Sequence, residues 1–181
     1  MIQRIRALIR RDEPRPEPVD ANHVVQDVIA IARADLAQRG VIVKTHLAAE
    51  IPPALCDRVQ MQQVLLNLLV NASDAMASKP PTAREISITS WSGGGGVRLA
   101  VADRGTGIAA EPIDAIFEPF VTSKNEGLGL GLTICRTIMQ ECGGKLWAQN
   151  NSRGGATFHL QLPVASEGAV VQPAMSLEPG D

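Results

Sequence analysis

The chain has 181 residues, of which 45% are hydrophobic, 20% are charged and 3% are aromatic, and its formal net charge is −2. A domain of about 150 residues buries roughly 70% of the surface that its unfolded chain exposes, so we expect one globular domain. The small net charge provides no field that would draw nucleic acid, and the scarcity of aromatic side chains removes the stacking platforms that single strands use. We therefore exclude nucleic acid as a partner.

The three cysteines, Cys56, Cys135 and Cys142, form no CxxC pair and have no histidine pair nearby. An odd number without such spacing argues against a disulfide framework or a zinc site, and it fits a reducing cytosol. No apolar run reaches the ~18 residues that a membrane span requires, and the start of the chain lacks the apolar core of a secretion signal. We expect a cytoplasmic location and no membrane span in this chain.

The start of the chain is basic and amphipathic, with Ile2, Ile5 and Ile9 at helical spacing. This pattern fits a membrane-surface helix or a transit peptide, but it favours a helix that packs on a partner outside this chain. Residues 12–18 then carry three prolines. Because proline breaks helices, we expect a hinge or linker there.

The first predicted helix of the globular part is capped by Asp20 or Asn22 and extends to about Gln38. Apolar residues recur within it at helical intervals, and Gly40 follows it as a typical helix stop. Residues 41–48, VIVKTHLA, are then predicted to form a strand.

A second helix is predicted to begin at Asp57, which stands three residues before Gln60 as in a capping box, and to end at about Ser78. One face is apolar, and the other carries a polar stripe at steps of three or four residues, formed by Gln60, Gln63, Asn67, Asn71 and Asp74. Such a stripe is either plain solvent-exposed surface or, through its uncharged Gln and Asn amides, a row of compact oxygen ligands suited to a hard cation such as magnesium. The pattern alone leaves both interpretations open.

The later elements alternate between strand-like and helix-like patterns. In chain order, the sequence predicts strands at 85–91 and 97–103, a connection at 104–126 with one helical turn around IDAIF, a helix at 128–142, and strands KLWAQN and GATFHLQL joined by NSRGG. A connection of that length in a compact domain is usually functional or mobile. Residues 164–181 hold no periodic apolar pattern and are predicted to be disordered.

The strand at 97–103 ends in Asp103, which is followed by Gly105 and Gly107. A carboxylate at a strand end, beside glycines that let a ligand approach the backbone, is suited to accept a hydrogen bond from an exocyclic amine such as that of adenine. The alternative is an ordinary turn, since the fragments DRG and TG are common in turns.

Residues 127–132 read GLGLGL directly in front of the last predicted helix. Glycines leave backbone N–H groups uncovered, and a helix presents its positive end at the N-terminus, so this combination is suited to phosphates. The alternative is a helix entry with tight backbone packing. The GxxxxGKS/T signature of a P-loop is absent, and no GxGxxG lies within a strand-helix-strand unit.

Taken in order, the asparagine-rich helix, DRGTGI, IFEPFVTSK, GLGLGL and GGATFHLQLP closely resemble the ATP-binding catalytic domain of sensor histidine kinases. Their superfamily also contains gyrase, Hsp90, MutL and mitochondrial dehydrogenase kinases. The resemblance covers roughly residues 19–163, and NLLVNASDAM with EPFVTSK resembles the nitrogen-regulation and oxygen-sensing branch. It implies a two-layer α/β sandwich, the Bergerat fold, in which helices cover one face of a mixed, mostly antiparallel sheet and a mobile lid closes over ATP.

The resemblance also implies roles for single residues. Asn71 matches the asparagine that holds magnesium, Asn67 its companion in the same box, and Asp103 the carboxylate that recognises the adenine amino group. Lys124 would reach the terminal phosphate from the lid, and Thr157 would lie near the adenine. The remaining implied ATP-binding residues are Asp74, Gly105, Gly107, Ile108, Phe117 and Phe120 of the phenylalanine box, and Thr122, Ser123, Gly127, Leu128, Gly129, Leu130, Gly131 and Leu132 of the lid.

By this resemblance the chain binds Mg-ATP and transfers the γ-phosphoryl group to a histidine of a dimerisation domain, which passes it to a response regulator receiver domain. His23, His46 and His159 are followed by Val, Leu and Leu, whereas the family's acceptor is followed by Glu or Asp. We therefore expect the acceptor outside this chain. Residues 1–18 resemble the end of a dimerisation helix and its linker, and the full-length protein is expected to be a homodimer.

Other classes stay open. A clamp-type ATPase places a glutamate one helical turn before the magnesium asparagine, and this chain has Asn67 there, so hydrolysis should be slow. A relative that phosphorylates serine, such as a dehydrogenase kinase, would need its own acceptor protein. A pseudokinase or interaction module would bind nucleotide, or nothing, and transfer no phosphoryl group.

Overall fold

The computed structural model describes residues 14–121 and 129–165. In chain order its elements are β1 (Glu17–Val19), α1 (Ala21–Gln38), β2 (Ile42–Leu47), β3 (Ala54–Cys56), α2 (Arg58–Ala75), β4 (Glu85–Gly93), β5 (Gly96–Asp103), α3 (Gly131–Glu141), β6 (Lys145–Asn150) and β7 (Ala156–Pro163). Two short 3-10 helices lie at Pro81–Ala83 and Ile113–Phe117. The second of them is the helical turn predicted around IDAIF.

Five strands form one sheet in the order β2-β4-β5-β7-β6. The β2-β4 pair is parallel and the other three pairs are antiparallel. The helices α1, α2 and α3 share one buried hydrophobic cluster with alternate side chains of the strands, so they cover a single face of the sheet. The predicted two-layer α/β sandwich with a mixed, mostly antiparallel sheet is therefore confirmed.

The N-cap of α1 is Asp20, one of the two candidates in the sequence. Its Oδ1 accepts hydrogen bonds from the backbone N–H groups of Asn22 at 2.8 Å and His23 at 3.2 Å. The Asn22 side chain instead donates to the carbonyl of Ala48 and accepts from the hydroxyl of Ser90, which ties the start of α1 to the sheet. Asp20 thus fixes where α1 begins, and Asn22 fixes where it lies on the sheet.

The helix α2 lies in the middle of the helical layer. Its Leu65, Leu68 and Leu69 are each 1% exposed or less. Burying one such side chain fully contributes about 1.5–3 kcal/mol, so this face holds α2 firmly against the sheet. Along its flank, the Asn67 side chain donates a hydrogen bond to Cys135 of α3. At Asn67 the polar stripe of α2 therefore faces α3, and the position of this residue is set by the core behind it.

Two helix ends differ from the sequence prediction. The helix α2 ends at Ala75, earlier than predicted, and the carbonyl of Ala75 accepts a hydrogen bond from Thr106 of the following loop. The helix α3 begins at Gly131, later than predicted, because Gly129 has a φ of +66°, outside the range of a right-handed helix. Both ends lie where a glycine-rich loop meets a helix.

A second, two-stranded sheet was not predicted. In it β1 pairs antiparallel with β3, with Glu17 opposite Cys56 and Val19 opposite Ala54. Glu17 and Pro18 belong to the segment predicted to be a hinge or linker, so the end of that segment pairs with the domain. Strands of three residues are too short to show a periodic pattern, and proline is tolerated in an edge strand. None of the helices in the described ranges is long and apolar enough to cross a membrane.

Candidate nucleotide-binding site

Asp103 is a buried carboxylate at the carboxyl end of β5, with 4% of its surface exposed. Its Oδ1 accepts hydrogen bonds from the backbone N–H groups of Gly105 at 2.7 Å and Ala156 at 3.3 Å. Burial raises the pKa of Asp103, and the two backbone donors offset part of that rise. Within residues 14–121 and 129–165, no hydrogen bond engages Oδ2 of this carboxylate, so this oxygen is available to a ligand donor.

The loop that follows Asp103 packs against the C-terminal end of α2. A β-carbon at Gly105 would lie 2.7 Å from the carbonyl oxygen of Ala75, so only glycine fits, and Thr106 donates its backbone N–H to the same oxygen at 3.3 Å. On its other side the loop is held by Asn150 of β6, whose amide exchanges two hydrogen bonds with the backbone of Ile108 at 2.7 and 2.9 Å. The loop is thus clamped between α2 and β6.

The N-terminus of α3 meets the middle of α2. A β-carbon at Gly131 would lie 2.8 Å from Oδ1 of Asn67, so the bare backbone of Gly131 lets the two helices approach. Leu130 stands at the N-cap of α3 and makes no side-chain capping hydrogen bond. Among the described residues, no side chain caps the first N–H groups of α3, which is the arrangement that binds anions at helix ends.

Asn67, Asn71 and Ala75 follow one another at intervals of one helical turn along α2. The row that these three residues form is about 12 Å long at roughly 1.5 Å per residue. Gly131 contacts its first member and the loop after Asp103 contacts its last, so half-buried Asn71 lies between the two glycine segments. Two segments that are distant in sequence, the loop after Asp103 and the start of α3, are therefore arranged along one helix.

Asp74, which was predicted to bind ATP, is engaged on the α1 side of α2. Its Oδ1 accepts a hydrogen bond from Nη1 of Arg39 at 2.6 Å, and this bond raises the pKa of Arg39. The carboxylate thus ties the C-terminal ends of α1 and α2 together.

The two phenylalanines of the predicted box lie in different surroundings. Phe117 is 3% exposed and packs edge-on against Phe158 with their ring centroids 6.4 Å apart, while the guanidinium of Arg136 lies 4.9 Å from its ring centroid. Phe120 is 74% exposed and has a φ of +67°. Its backbone N–H donates to the carbonyl of Gly129 at 3.2 Å, so residues 120 and 129 are in direct contact.

Thr157 is not placed at the carboxylate of Asp103. It pairs with Ala102 across the β5-β7 ladder, so its side chain lies on the opposite face of the sheet from that of Asp103. Its hydroxyl donates to Oδ1 of Asn151 at 2.7 Å, and Asn151 donates to the carbonyl of Asp103 at 3.2 Å. The residue of β7 that faces the carboxylate is Ala156, and the position of Thr157 near the adenine stays a prediction.

Asn150 and Asn151 were not predicted as site residues, although both hold the loop around Asp103. The one signal in the sequence is an asparagine pair in front of a glycine-rich turn, which is also typical of ordinary hairpins. Of the remaining predicted residues, Gly107 has a φ of +77°, and Leu132 packs against the hydrophobic core. Thr122, Ser123, Lys124, Gly127 and Leu128 lie outside the described residues.

The described ranges contain no group of three or more His, Cys, Asp or Glu side chains that would hold a metal by themselves. Magnesium in nucleotide sites takes only one or two protein ligands, with phosphate oxygens and water completing its shell. Asn71 lies on α2 between the contacts at Asn67 and Ala75, and its side chain offers an oxygen ligand of the kind that this requires.

The family model for histidine kinase-, DNA gyrase B-, and HSP90-like ATPases matches residues 56–166, which include α2, the Asp103 loop and α3. This chain belongs to that family. The match contains every contact between α2 and the two glycine segments described above, and it begins after α1. The helix α1 and strand β2 precede the matched residues, and β2 pairs with β4 within them.

Curated relatives within this family are sensor kinases. The sensor histidine kinase TmoS of Ectopseudomonas mendocina is 34% identical over 91% of this chain and 17% of its own length, and the sensor protein FixL of Bradyrhizobium diazoefficiens is 34% identical over 92% of this chain and 33% of its own length. The chain therefore spans a third or less of the length of these two relatives.

Solved structures give the same family. The catalytic domain of histidine kinase ThkA superposes with a TM-score of 0.71 at 30% identity, over 84% of this chain and 97% of that domain. Full-length ShkA, in complex with AMPPNP, superposes with a TM-score of 0.73 at 26% identity, over 91% of this chain and 35% of ShkA. The fold described here thus matches nearly the whole of a histidine kinase catalytic domain.

Proposed function

We propose that this chain binds ATP with magnesium and, as the catalytic part of a larger sensor kinase, transfers the γ-phosphoryl group to a histidine of a dimerisation domain. The observation that carries the proposal is the row formed by Asn67, Asn71 and Ala75 on α2. It brings a buried carboxylate loop at Ala75 and an uncapped helix N-terminus at Asn67 to either side of Asn71. That arrangement provides separate places for a base and for a phosphate tail.

Each end of this site suits one part of the nucleotide. Oδ2 of Asp103 would accept a hydrogen bond from the exocyclic amine of adenine, because Oδ1 is already bound to two backbone N–H groups. The N-terminus of α3 would bind phosphate oxygens through its backbone N–H groups. Asn71 would hold magnesium, which neutralises phosphate charge when it is bound.

Phosphoryl transfer requires little covalent chemistry from a protein, since catalysis rests on positioning the phosphates and on neutralising their charge. The residues of this chain would therefore orient ATP, and Lys124 would add a positive charge near the terminal phosphate. Clamp-type hydrolysis is disfavoured because Asn67, which is hydrogen-bonded to Cys135, stands where a general base would be needed.

The three histidines of the chain do not lie at this site. His23 is exposed at the start of α1 beside Asp20, and His46 is exposed on the edge strand β2. His159 stacks on Trp147 with the ring centroids 5.1 Å apart, and burial lowers its pKa. We therefore place the acceptor on a separate dimerisation domain, and the name shared by TmoS and ThkA, histidine kinase, supports this partner.

The segments of the chain take their roles from this proposal. Residues 19–163 form the catalytic domain, residues 1–18 the end of a dimerisation helix with its linker, and residues 164–181 a C-terminal tail. A response regulator receiver domain would take the phosphoryl group from the acceptor histidine. Because ATP is the substrate, the domain would act in the cytoplasm, and the full-length protein would be a homodimer.

Asn71→Ala should remove the gain in nucleotide affinity that magnesium provides. Without its amide oxygen the metal keeps only phosphate and water ligands, so we expect the dissociation constant of a non-hydrolysable ATP analogue with magnesium to rise roughly tenfold or more. Isothermal titration calorimetry on both proteins, with magnesium and with EDTA, measures this. The control is the affinity in EDTA, which should differ little. If the wild-type chain bound no analogue under either condition, the proposal would fail.

A separate assay distinguishes transfer from binding alone. The chain is mixed with a dimerisation domain that carries an acceptor histidine and with radiolabelled ATP, and acid-labile label on the acceptor is counted. A kinase labels the acceptor and Asn71→Ala does not. Binding without label on any acceptor would favour an interaction module, and release of free phosphate without an acceptor would favour an ATPase.

A further inference from the structure

Cys135 connects the two helices of the proposed site. It lies in the first half of α3 with 0% of its surface exposed, and its sulfur accepts a hydrogen bond from Nδ2 of Asn67 at 3.1 Å. The same sulfur donates to the carbonyl oxygen of Val64, one turn earlier on α2, at 3.9 Å. The thiol therefore contacts α2 at two points and uses both its acceptor and its donor.

The protonation of this thiol is consistent with both contacts. Burial raises the pKa of Cys135 to about 12, so the sulfur keeps its proton at neutral pH. A protonated thiol donates through S–H and accepts through its lone pairs, whereas a thiolate only accepts. Cys135 is thus an inert, neutral group here, and its contribution is geometric.

The contact decides which way the Asn67 amide points. A primary amide carries two donors on nitrogen and an acceptor on oxygen, and its two orientations have nearly the same shape. Because the sulfur accepts from Nδ2, the orientation that leaves Oδ1 as the free acceptor is favoured. Both amide atoms lie beside Gly131 at the N-terminus of α3, with Oδ1 2.8 Å and Nδ2 2.9 Å from the place of its β-carbon, so the contact with the Cys135 sulfur, not this distance, distinguishes the two orientations.

We propose that Cys135 is a positioning residue that fixes the Asn67 amide with its oxygen towards the proposed magnesium and phosphate region. The inference rests on the proposed function for its consequence, because an amide oxygen beside Asn71 assists a hard cation or its bound water while an amide N–H₂ group opposes it. The thiol itself touches neither nucleotide nor metal.

The chain offers a matched pair of variants. Cys135→Ser keeps a small group that accepts from Nδ2 and donates to the Val64 carbonyl, whereas Cys135→Ala is of similar size and does neither. We expect the gain in ATP-analogue affinity that magnesium provides to fall roughly tenfold in the alanine variant, as for the loss of other groups that orient a metal ligand, and to change little in the serine variant. Affinity in EDTA should be the same in both.

A second control separates orientation from packing. Cys56 is 3% exposed and lies in β3 opposite Glu17, so Cys56→Ala removes a buried thiol that has no contact with Asn67. We expect it to lower the unfolding temperature without changing the magnesium dependence. A Cys135→Ala variant that lost stability but kept the full magnesium gain would overturn the inference.

One readout does not depend on nucleotide. In the nucleotide-free protein, the side-chain N–H₂ signals of Asn67 in a ¹⁵N NMR spectrum should exchange slowly with solvent in the wild type and in Cys135→Ser, and faster in Cys135→Ala. Equal exchange in all three proteins would overturn the positioning role even if ATP binds normally. A different outcome is that slow exchange is lost only in the alanine variant while the wild-type chain binds no ATP. That result would support the orientation of the amide and contradict the proposed function.

Discussion

Asp103→Asn should abolish most ATP binding while leaving the nucleotide-free protein at least as stable as the wild type. The amide oxygen can keep the hydrogen bonds from Gly105 and Ala156, but Nδ2 replaces the Oδ2 that would face the adenine amine. The side-chain N–H₂ group and the exocyclic amine of adenine, both hydrogen-bond donors, then face each other in a buried site. We expect the dissociation constant of an ATP analogue to rise about 100-fold or more, as measured by calorimetry.

Stability should change in the opposite direction to affinity. Burial raises the pKa of Asp103 in the folded protein, so the folded state binds more protons than the unfolded state between the two pKa values, and stability falls as pH rises through that window. The wild type therefore carries the full cost of the charge at neutral pH. Asparagine carries none, so the unfolding temperature of the variant relative to the wild type should increase with pH across this window.

Inosine triphosphate serves as the matched probe for this position. It presents a carbonyl where ATP presents the amine, so it should bind the wild type poorly and lose much less affinity in Asp103→Asn. An unchanged affinity for ATP in the variant would mean that Asp103 does not contact the base. A loss of affinity accompanied by a lower unfolding temperature would mean that the substitution had disturbed the loop.

The sequence predicted the helices and strands of the main sheet because their apolar patterns are long. The helix α2, for example, buries a continuous apolar face that includes Leu65 and Leu68, and this periodicity is legible without a structure. The strand β1 could not be predicted in the same way, since three residues show no period and their partner, β3, lies far along the chain.

The candidate site was only partly predictable, and the limits lie in the contacts between distant segments. Asp103 stands out at a strand end, but its tie to Ala156 depends on the register between β5 and β7. The same register turns Thr157 to the opposite face of the sheet, because a shift of one residue changes the face. The contact between Asn67 and Cys135 likewise depends on how α2 and α3 pack, which neither helix specifies alone.

Gly155→Ala should destabilise the fold far more than the same change at Gly95. Both glycines have positive φ, +85° and +75°, so alanine is strained at either position. A β-carbon at Gly155 would also press on the carbonyl oxygen of Asp103, whereas one at Gly95 would meet nothing within 4 Å. We expect a loss of about 1–2 kcal/mol in the free energy of unfolding at Gly95, from backbone strain alone, and about 3 kcal/mol or more at Gly155.

Urea unfolding of the two nucleotide-free variants measures the difference, with unchanged m-values showing that the unfolded states are comparable. The close approach of Gly155 holds the backbone of Asp103 where its carboxylate can accept from Ala156. If the loop instead moves to make room, the cost should appear in ATP affinity rather than in stability. Equal losses of stability at the two positions, with ATP affinity intact, would mean that Gly155 is required only for its φ and that the Asp103 loop is not held by this contact.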